Sequence, residues 1–247
     1  MLQTDVAPGV HRVEDAFTNW YLVEDTDGVT VVDCGVPSSW DSLRDALRRI
    51  GRTEDDVRAV VLTHAHFDHV GFAERARREL GVPVHVHEDD VPLTQHPWRY
   101  DHERPRAPYF ATQVRAFPIV ASLLRHRAFW PAAIGEVVPY GDAGVLPVPG
   151  ALEIVRTPGH TLGHCALHLR DRDVVLAGDA VVTLDPYTGR RGPRVVARAA
   201  TVDSARNLRT LDALLATGAR TVLTGHGPAW EDGVEAAVAA ARAADVA

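Results

Sequence analysis

Hydrophobic and polar residues alternate along the first third of the chain in patterns that predict strands and helices in turn. Phe17–Val23 and Val29–Val32 have the apolar character of strands, and a turn at Asp25–Gly28 lies between them. Ser39–Ile50 carries its apolar residues at helical spacing, which predicts an amphipathic helix. The next predicted elements are the strand Asp56–Leu62, the helix Phe72–Leu80, which ends at Gly81, and the strand Val82–His87.

The second half of the chain repeats this alternation. Short strands are predicted between Gly144 and Ala177, and a helix over Val202–Ala216. A strand at Thr221–Leu223 and an Ala-rich helix at Gly233–Ala244 follow. Both α/β and α+β architectures agree with such a pattern, which does not distinguish between them.

Composition is typical of a globular catalytic domain. The chain has 247 residues, 46% of them hydrophobic, and no linker-like boundary divides it, so a single domain over 1–247 is expected. No apolar stretch reaches the roughly 18 residues of a membrane span, and Met1–Asp5 lacks the basic start of a signal peptide. We therefore expect a cytoplasmic protein with no membrane partner.

Charge and residue usage exclude several function classes. The formal net charge of −7 does not favour nucleic acid, so a small-molecule substrate is expected, while the oligomeric state is unknown. All 26 basic residues are arginines, and without lysine there is no Schiff-base chemistry. The two cysteines, Cys34 and Cys165, give no disulfide framework.

Four side chains of metal-ligand type are concentrated in six residues after the strand Asp56–Leu62. They are His64, His66, Asp68 and His69. Neutral imidazole suits zinc and a carboxylate adds negative charge, and a loop at a strand end can turn alternate side chains towards one point. A lone histidine is more often a structural residue, but four clustered ligands favour a metal site.

Three further candidate ligands lie far along the chain, each just after a predicted strand. His160 follows Leu152–Arg156, Asp179 follows Asp173–Ala177, and His226 follows Thr221–Leu223. A glycine stands next to each of these residues and allows a sharp turn close to an ion. Each of the three alone is a weak signal.

In this order, the run from His64 to His69 and these three residues resemble the signature of the metallo-β-lactamase superfamily, in which His-x-His-x-Asp-His precedes a further His, Asp and His. The resemblance extends from Val31 to Gly227 and matches at every signature position. It implies an α+β fold of the αββα type, with two mixed sheets packed face to face, helices outside and the site at one edge.

The resemblance also implies a role for each signature residue. His64, His66 and His160 would hold one metal ion, Asp68, His69 and His226 a second, and Asp179 would bridge them. Asp33, at the end of a strand, has the position of an aspartate that orients a ligand histidine. Two Zn²⁺ ions are expected, with iron or manganese as alternatives. Such a pair can hold a hydroxide and polarise a carbonyl, and Asp68 is the expected catalytic proton carrier.

Asp179 narrows the expected activity. A bridging aspartate is found in the hydroxyacylglutathione hydrolases, lactonases and related esterases of the superfamily, whereas its β-lactamases generally lack one. We therefore expect hydrolysis of a small carbonyl ester, lactone or thioester. A β-lactam-cleaving enzyme and a non-hydrolytic metal-binding or ligand-binding protein on the same fold are the alternatives.

Two features of the sequence differ from the enzymes of this branch that act on glutathione thioesters and homoserine lactones. The chain stops 20 residues after Gly227, where glutathione thioesterases continue with a helical region. Many homoserine lactonases carry a tyrosine three residues after the bridging aspartate, but this chain has Val182 there. Tyr187 or Tyr109 is a candidate to take that role.

Three further histidines have less specific explanations. His164 lies four residues after His160, and we expect a structural neighbour of the site rather than a ligand. His85 and His87 alternate with valines, which predicts a solvated strand face. A position behind the metal ligands is the alternative for these two.

The segment 92–140 departs from the alternating pattern and is predicted to be an insertion that lines the substrate pocket. It holds 8 of the 16 aromatic residues, including Phe110, and six arginines lie between Arg99 and Arg127. This favours a pocket wall for an anionic substrate. The candidate substrate-binding residues are Trp98, Arg99, Tyr109 and Tyr187.

The alternative for this segment is a packing role. In that case a helix over Tyr109–Arg127 would bury its apolar residues on the core while its arginines face water. The residues predicted to pack are Val114, Phe117, Val120, Ala121 and Leu124. The two roles are compatible with each other.

Overall fold

A computed structural model describes residues 1–247, apart from the side chain of Phe110. The first sheet contains seven strands in sequence order. They are β1 (Leu2–Ala7), β2 (Val10–Asp15), β3 (Thr18–Asp25), β4 (Gly28–Val32), β5 (Val57–Val61), β6 (Val84–His87) and β7 (Val138–Tyr140). Neighbours from β1 to β4 pair antiparallel, and those from β4 to β7 pair parallel, so the sheet is mixed.

The second sheet has the order β13-β10-β9-β8, and a separate two-stranded ribbon joins β11 to β12. Their bounds are β8 (Glu153–Arg156), β9 (Cys165–Leu169), β10 (Val174–Gly178), β11 (Val182–Leu184), β12 (Arg191–Arg194) and β13 (Thr221–Thr224). β9 is antiparallel to both β8 and β10, while β13 is parallel to β10. Therefore β8, β10 and β13 all run in one direction and end at the same edge of this sheet.

Seven α-helices lie in the described chain. They are α1 (Ser39–Arg49), α2 (Ala73–Glu79), α3 (Val91–Gln95), α4 (Ala107–Thr112), α5 (Phe117–Arg125), α6 (Ser204–Leu215) and α7 (Val234–Ala243). Short 3-10 turns occupy Glu54–Asp56, Glu88–Asp90, Val114–Ala116 and Arg170–Arg172. None of the described helices has the length and apolar character needed to cross a membrane.

Alternate side chains of the strands enter different layers, because successive residues of a strand point to opposite faces. Tyr21 and Val23 of β3 join the core between the sheets, while Trp20 and Leu22 pack on the other face with α1 and α2. In β10, Val174 and Leu176 face the first sheet, and Val175 and Ala177 contact the core under α6 and α7. These layers form the αββα sandwich, and the expected fold class is confirmed.

The structure differs from the sequence prediction at two places. No element is predicted before Phe17, where β1 and β2 lie, and the helix predicted over Tyr109–Arg127 is interrupted. α4 ends before Gln113, whose ψ of 76° leaves the helical region, and α5 begins anew at Phe117. Pro118 has no N–H and stands in the first turn of α5, which suits the start of a helix rather than its interior.

The interruption changes which face of the segment is buried. Ala116, Ile119 and Leu123 are buried, whereas Phe117 is 48% and Leu124 is 51% exposed. Of the residues predicted to pack, only Val120 is half-buried; the others are exposed, including Val114 and Ala121. The prediction assumed one continuous helix. Because the helix is divided, different residues face the core.

The solvated strand face predicted for His85 and His87 is also wrong. Both side chains are buried, because β6 lies between β5 and β7 within the sheet. The Nε2 atom of His87 lies 3.0 Å from the Oδ1 atom of Asp142, and its Nδ1 atom accepts from the Asp89 N–H. These contacts give His87 a structural role at the end of the strand.

Candidate metal centre

The candidate ligands all follow the carboxyl ends of strands. The run from His64 to His69 follows β5, while His160, Asp179 and His226 follow β8, β10 and β13. Backbone hydrogen bonds join the two sheets at this edge. The Cys165 N–H donates to the Thr63 carbonyl at 2.9 Å, and the Asn19 N–H to the Gly225 carbonyl at 2.7 Å. Segments far apart in sequence therefore meet at one place.

The structure brings the candidate ligands into two groups of three. In each group one ligand atom per residue lies within 4.8 Å of the others. The first group is His64, His66 and His160, and the second is Asp68, His69 and His226. These are the two sets of three that the sequence resemblance implies, although the ligand role itself stays a prediction.

Asp179 lies between the two groups. Its Oδ2 atom is 3.4 Å from the Nε2 atom of His160 and 3.3 Å from that of His226, and its Oδ1 atom is 3.7 Å from that of His69. A Cβ atom built on Gly225 would be only 2.0 Å from Oδ1 of Asp179. A glycine at position 225 thus leaves room for the carboxylate between the groups.

Asp33 lies behind two of the candidate ligands. Its Oδ2 atom is 3.0 Å from the Nδ1 atom of His69 and also accepts from the Thr63 hydroxyl, while Oδ1 accepts from the Thr63 N–H. Since the Thr63 hydroxyl proton is engaged in this way, its oxygen accepts from the Nδ1 atom of His64, 3.0 Å away. Both His64 and His69 then carry the ring proton on Nδ1.

His160 and His226 are oriented in the same manner. The Thr201 hydroxyl donates to the Val196 carbonyl, so its oxygen accepts from the Nδ1 atom of His160 at 3.3 Å. The Nδ1 atom of His226 donates to the Phe17 carbonyl at 2.8 Å. In each case the protonated nitrogen points away from the centre and Nε2 is left with a lone pair.

Several of these inward-facing atoms are buried without a hydrogen-bond partner among the described residues. They are the Nε2 atoms of His64, His66, His69 and His160, and the Oδ1 atom of Asp179. Buried polar atoms are normally paired, because leaving them unpaired is costly. Imidazole lone pairs and carboxylate oxygens that point to a common centre are the donor set of a transition-metal site, so the residues fit a pair of metal ions.

The electrostatics of the cluster favour positive charge at its centre. Burial opposes protonation of His69, but the carboxylates of Asp179 and Asp33 outweigh it and raise the pKa of His69 to about 10. Burial and the neighbouring imidazoles hold the pKa of His64 well below its ordinary value. Burial likewise lowers the pKa of His160 to about 4. His64 and His160 are thus neutral imidazoles, while the carboxylates favour a positive charge at His69, and a metal ion can supply that charge in place of a proton.

Asp68, the predicted catalytic residue, lies at the border between the cluster and solvent. It is 7% exposed, and its Oδ2 atom is 3.5 Å from the Nε2 atom of His226. The Thr18 hydroxyl donates to the same oxygen at 3.4 Å. Because Asp68 also lines the adjoining cleft, its carboxylate can contact both a metal ion and a substrate.

His164 is a neighbour of the cluster whose two ring nitrogens already have protein partners. Its Nε2 atom accepts from the Asp179 N–H at 3.0 Å, so the proton is on Nδ1, which lies 2.9 Å from the Thr157 hydroxyl. A ring with both nitrogens engaged is not available to a metal. The geometry agrees with a structural role that fixes the backbone of Asp179.

Sequence reasoning missed Asp90, which ties together two ligand-bearing loops. Its fully buried carboxylate accepts from the Ala65 N–H at 3.0 Å, the Thr161 hydroxyl at 2.8 Å and the Gly163 N–H at 2.7 Å. Burial raises the pKa of Asp90, and these three donors oppose that rise. Asp90 is the last residue of the 3-10 turn Glu88–Asp90, and no sequence pattern marked it as part of the site.

A cleft opens over the cluster and its walls are largely apolar. His66, Asp68, His160, Asp179 and His226 form its floor. Its walls consist of Phe67, Tyr100, Val120, Leu123, Phe129, Pro186, Tyr187, Val196 and Ala200. Four of the wall residues come from the segment 92–140, so this segment contributes to the cleft as well as packing beside it.

The four candidate substrate-binding residues lie in different places. Tyr187 lines the cleft, and Trp98 lines a groove that continues from it. Tyr109 is buried against Ala197 and Ala199 and lines a separate cavity, while Arg99 is exposed. The structure therefore places Tyr187 and Trp98 near the candidate metal centre, and not Tyr109 or Arg99.

Tyr100 is a wall residue that was counted among the aromatics but not predicted to be part of the site. Its ring stacks on the ring of His66, with centroids 3.8 Å apart. Its hydroxyl interacts with that of Tyr187, which comes from the loop after β11. Aromatic crowding was the available signal, but it did not single out this tyrosine.

Comparison with protein families agrees with this geometry. A family model described as the metallo-beta-lactamase superfamily matches residues 13–226. The chain belongs to this superfamily. Its assignment to metal-binding hydrolases follows from that membership and from the His/Asp groups, while the bond that it cleaves is a separate question.

Similar curated proteins include hydrolases with different named activities. The chain is 29% identical over 187 residues to YflN of Bacillus subtilis (strain 168), named a probable metallo-hydrolase, and the match covers 73% of this chain and 67% of YflN. It is 28% identical over 200 residues to the N-acyl homoserine lactonase AttM of Rhizobium radiobacter, covering 75% and 64%. It is 30% identical over 196 residues to the acyl-coenzyme A thioesterase MBLAC2 of Bos taurus, covering 70% and 63%. The chain thus spans about two thirds of the length of these three relatives.

Similar solved structures carry the same fold. The metallo-beta-lactamase family protein TTHA1429 from Thermus thermophilus is 26% identical, with a TM-score of 0.67 over 94% of this chain and 77% of that one. TTHA1623 in a di-iron-bound form is also 26% identical, with a TM-score of 0.62 over 91% and 95%. The second protein shows two iron ions on a related chain.

Proposed function

We propose that the protein is a two-metal hydrolase of small carbonyl esters, lactones or thioesters whose acyl group is largely apolar. One observation carries this proposal: a cluster of buried, unpaired imidazole nitrogens and a carboxylate oxygen faces a cleft with apolar walls. The cluster supplies the donor set for metal ions, and the walls suit an acyl group better than a polyanion.

The metal ions would be held by the residues that converge here. His64, His66 and His160 form one set, Asp68, His69 and His226 the other, and Asp179 would contact both ions. We propose zinc for both positions, with iron or manganese as alternatives. When bound, two such ions acidify water and polarise a carbonyl group, which is the chemistry that ester hydrolysis requires.

The side chains of the cleft have complementary tasks. Asp68 can take up a proton at its Oδ atoms and release it to the leaving group, because it borders both the cluster and the cleft. Burial raises the pKa of Tyr187 to about 12, so its hydroxyl stays protonated and can donate to a substrate oxygen. Phe67, Leu123 and Phe129 would surround the acyl group and keep bulk water away from it.

The relatives support this substrate class. AttM is named a lactonase for N-acyl homoserine lactones, and MBLAC2 is named a thioesterase for acyl-coenzyme A. Both names describe an acyl compound with a bond at a carbonyl carbon. The apolar cleft over the candidate ligands offers a place for such an acyl group in this chain.

The test combines metal analysis with a substrate panel. Purified protein should contain close to two transition-metal ions per chain, and Asp179→Ala should lower this number while the fold remains, because the carboxylate common to both sets is lost. Metal-loaded protein is then assayed with 4-nitrophenyl esters, lactones, acyl thioesters, a phosphodiester and a β-lactam. Turnover should be confined to the first three classes.

Three outcomes would contradict the proposal. Saturation of the well-folded wild type at one ion would remove the two-metal assignment. Faster cleavage of the β-lactam than of any ester, lactone or thioester would favour the β-lactamase alternative. Full metal occupancy with no turnover across the panel would favour a non-hydrolytic binding protein.

A further inference from the structure

Arg106 lies at the outer end of a stack of side chains that leads to the candidate ligands. Its guanidinium carbon is 4.4 Å from the ring centroid of Tyr100 and 5.8 Å from that of Trp98. The Tyr100 ring in turn stacks on His66, with an interplanar angle of 28°. Guanidinium, phenol and imidazole thus form three successive layers, and one aromatic ring separates the positive charge from the cluster.

The charge of Arg106 has no counterion in the described part of the chain. Its Nε atom donates to the Ala199 carbonyl at 3.3 Å, but one terminal nitrogen is buried without an acceptor. The nearby Arg198 differs, because its Nε atom lies 3.5 Å from Glu103. Among the described residues no carboxylate oxygen lies within 4.0 Å of the Arg106 guanidinium. A partly desolvated guanidinium without a partner is unfavourable, and an incoming anion would relieve that cost.

The position of Arg106 is accessible from the cleft. It lines a groove with Trp98, Leu124 and Trp130. This groove shares Val120, Phe129 and Tyr187 with the cleft over the candidate ligands, so the two are continuous. A molecule whose carbonyl lies at the ligand cluster can therefore extend past Tyr100 to Arg106.

We propose that Arg106 binds an anionic group of the substrate, a carboxylate or a phosphate, carried a few bonds from the scissile carbonyl. The inference rests on the proposed function and narrows its substrate class to acyl compounds with an acidic group. A guanidinium can bind either anion through two parallel hydrogen bonds. The Trp98, Phe129 and Trp130 side chains give the groove apolar walls, and the lower local polarity strengthens this attraction.

The experiment compares two amide probes on metal-loaded protein by isothermal titration calorimetry. Glutaric acid mono-N-methylamide carries a carboxylate at its far end, and N-methylpentanamide is its neutral counterpart. The variants are Arg106→Gln, which removes the charge, and Arg106→Lys, which keeps the charge but not the planar fork. Arg99→Gln is the matched control, because it removes an exposed arginine of the same segment that does not line the cleft.

Wild type should bind the anionic probe about tenfold more tightly than the neutral one, since a charge-assisted hydrogen bond is worth at least that factor. Arg106→Gln should lose this preference, Arg106→Lys should keep part of it, and Arg99→Gln should keep all of it. Equal affinity of wild type for both probes would overturn the proposal. An equal loss in Arg99→Gln and Arg106→Gln would also overturn it, because the effect would then be general surface charge.

Competition with inorganic phosphate distinguishes the two kinds of anion. Phosphate that displaces the anionic probe from wild type about tenfold better than from Arg106→Gln identifies a phosphate group as the ligand of Arg106. Equal displacement from both proteins places phosphate elsewhere, and the preference for the carboxylate probe then identifies a carboxylate. Failure of the proposed function gives a different result, namely no turnover of esters, lactones or thioesters while the binding preference persists.

Discussion

The ligand cluster and the cleft wall above it are built by different means. All seven candidate ligands follow strand ends and are at most 7% exposed. Hydrogen bonds accepted by the carboxylates of Asp33 and Asp90 hold the cluster and its loops. The wall from the segment 92–140 consists of short helices and turns, and it leaves Phe117, Leu124 and Trp130 about half exposed or more.

This difference separates chemistry from selectivity. The cluster has little freedom, because four of its five imidazoles are held by hydrogen bonds at Nδ1 and His66 is held by stacking on Tyr100. The wall lines the cleft but contains none of the candidate ligands, so its residues can change without removing a ligand. We therefore expect substitutions in the cluster to affect kcat, and substitutions in the wall to affect mainly the choice of substrate or stability.

The largest effect is expected for Asp68→Asn. The carboxamide keeps the size of the side chain but no longer takes up a proton, so kcat should fall about a hundredfold or more while KM changes little. Steady-state kinetics at saturating metal, on the fastest ester or thioester, measure this change. Asp45→Asn, on the exposed side of α1, is the control and should have wild-type rates. An unchanged kcat in Asp68→Asn would remove Asp68 from the mechanism.

Gly225→Ala tests the space that Asp179 occupies. The new Cβ atom would lie 2.0 Å from Oδ1 of Asp179, so the carboxylate must move away from its place between the two groups. A shift of this size should reduce kcat/KM by about a hundredfold. Gly141→Ala is the control, because its Cβ atom would meet nothing within 4 Å. Wild-type activity and metal content in Gly225→Ala would show that the carboxylate has no required position.

Asp90→Asn should have a smaller effect. It should lower metal affinity indirectly, because Asp90 holds the backbone of two ligand-bearing loops. The Asp90 carboxylate accepts three hydrogen bonds, from two N–H groups and one hydroxyl. In either orientation of the asparagine amide, its NH₂ group would face at least one of these donors and could not accept from it. Metal affinity, measured by competition with a chelator, should fall about tenfold. The free energy of unfolding in denaturant should fall by about 2 kcal/mol.

The neighbouring Asp89→Asn is the control for Asp90. Its side chain is 51% exposed and pairs with Arg156, and exposed ion pairs contribute little to stability. Equal loss of metal affinity in both variants would contradict a specific role for Asp90 in joining the two ligand-bearing loops.

The candidate ligands could be predicted from the sequence because each lies in a short, recognisable motif. His64, His66, Asp68 and His69 stand within one short run, and His160, Asp179 and His226 each follow an apolar strand beside a glycine. Asp33 could be inferred from the family resemblance, which places an orienting aspartate at the end of its strand. Asp90 could not, because its three partners are set by the meeting of loops from two sheets, and no spacing in the sequence encodes that meeting.

The orientation of the residues in the segment 92–140 was harder to predict from the sequence, and the reason is physical. Its composition indicated a pocket wall, and Tyr100, Leu123 and Phe129 do line the cleft. The orientation of its residues, however, depends on where each short helix starts. The break at Gln113 resets the helical phase, so periodicity over the whole segment assigned the wrong residues to the buried face.

The smallest effect comes from two adjacent leucines of α5, and it tests that phase directly. Leu123 is 7% exposed and lines the cleft, whereas Leu124 is 51% exposed. Leu123→Ala removes packed methyl groups and should lower the free energy of unfolding by about 2 kcal/mol. Leu124→Ala should change it by less than about 0.5 kcal/mol, because its side chain is largely solvated. Denaturant unfolding of both variants measures the difference, and metal content should be unaltered in each since α5 holds no candidate ligand. A larger loss for Leu124→Ala would mean that the continuous helix describes this segment better than the interrupted one, and would assign the cleft wall to the opposite face of α5.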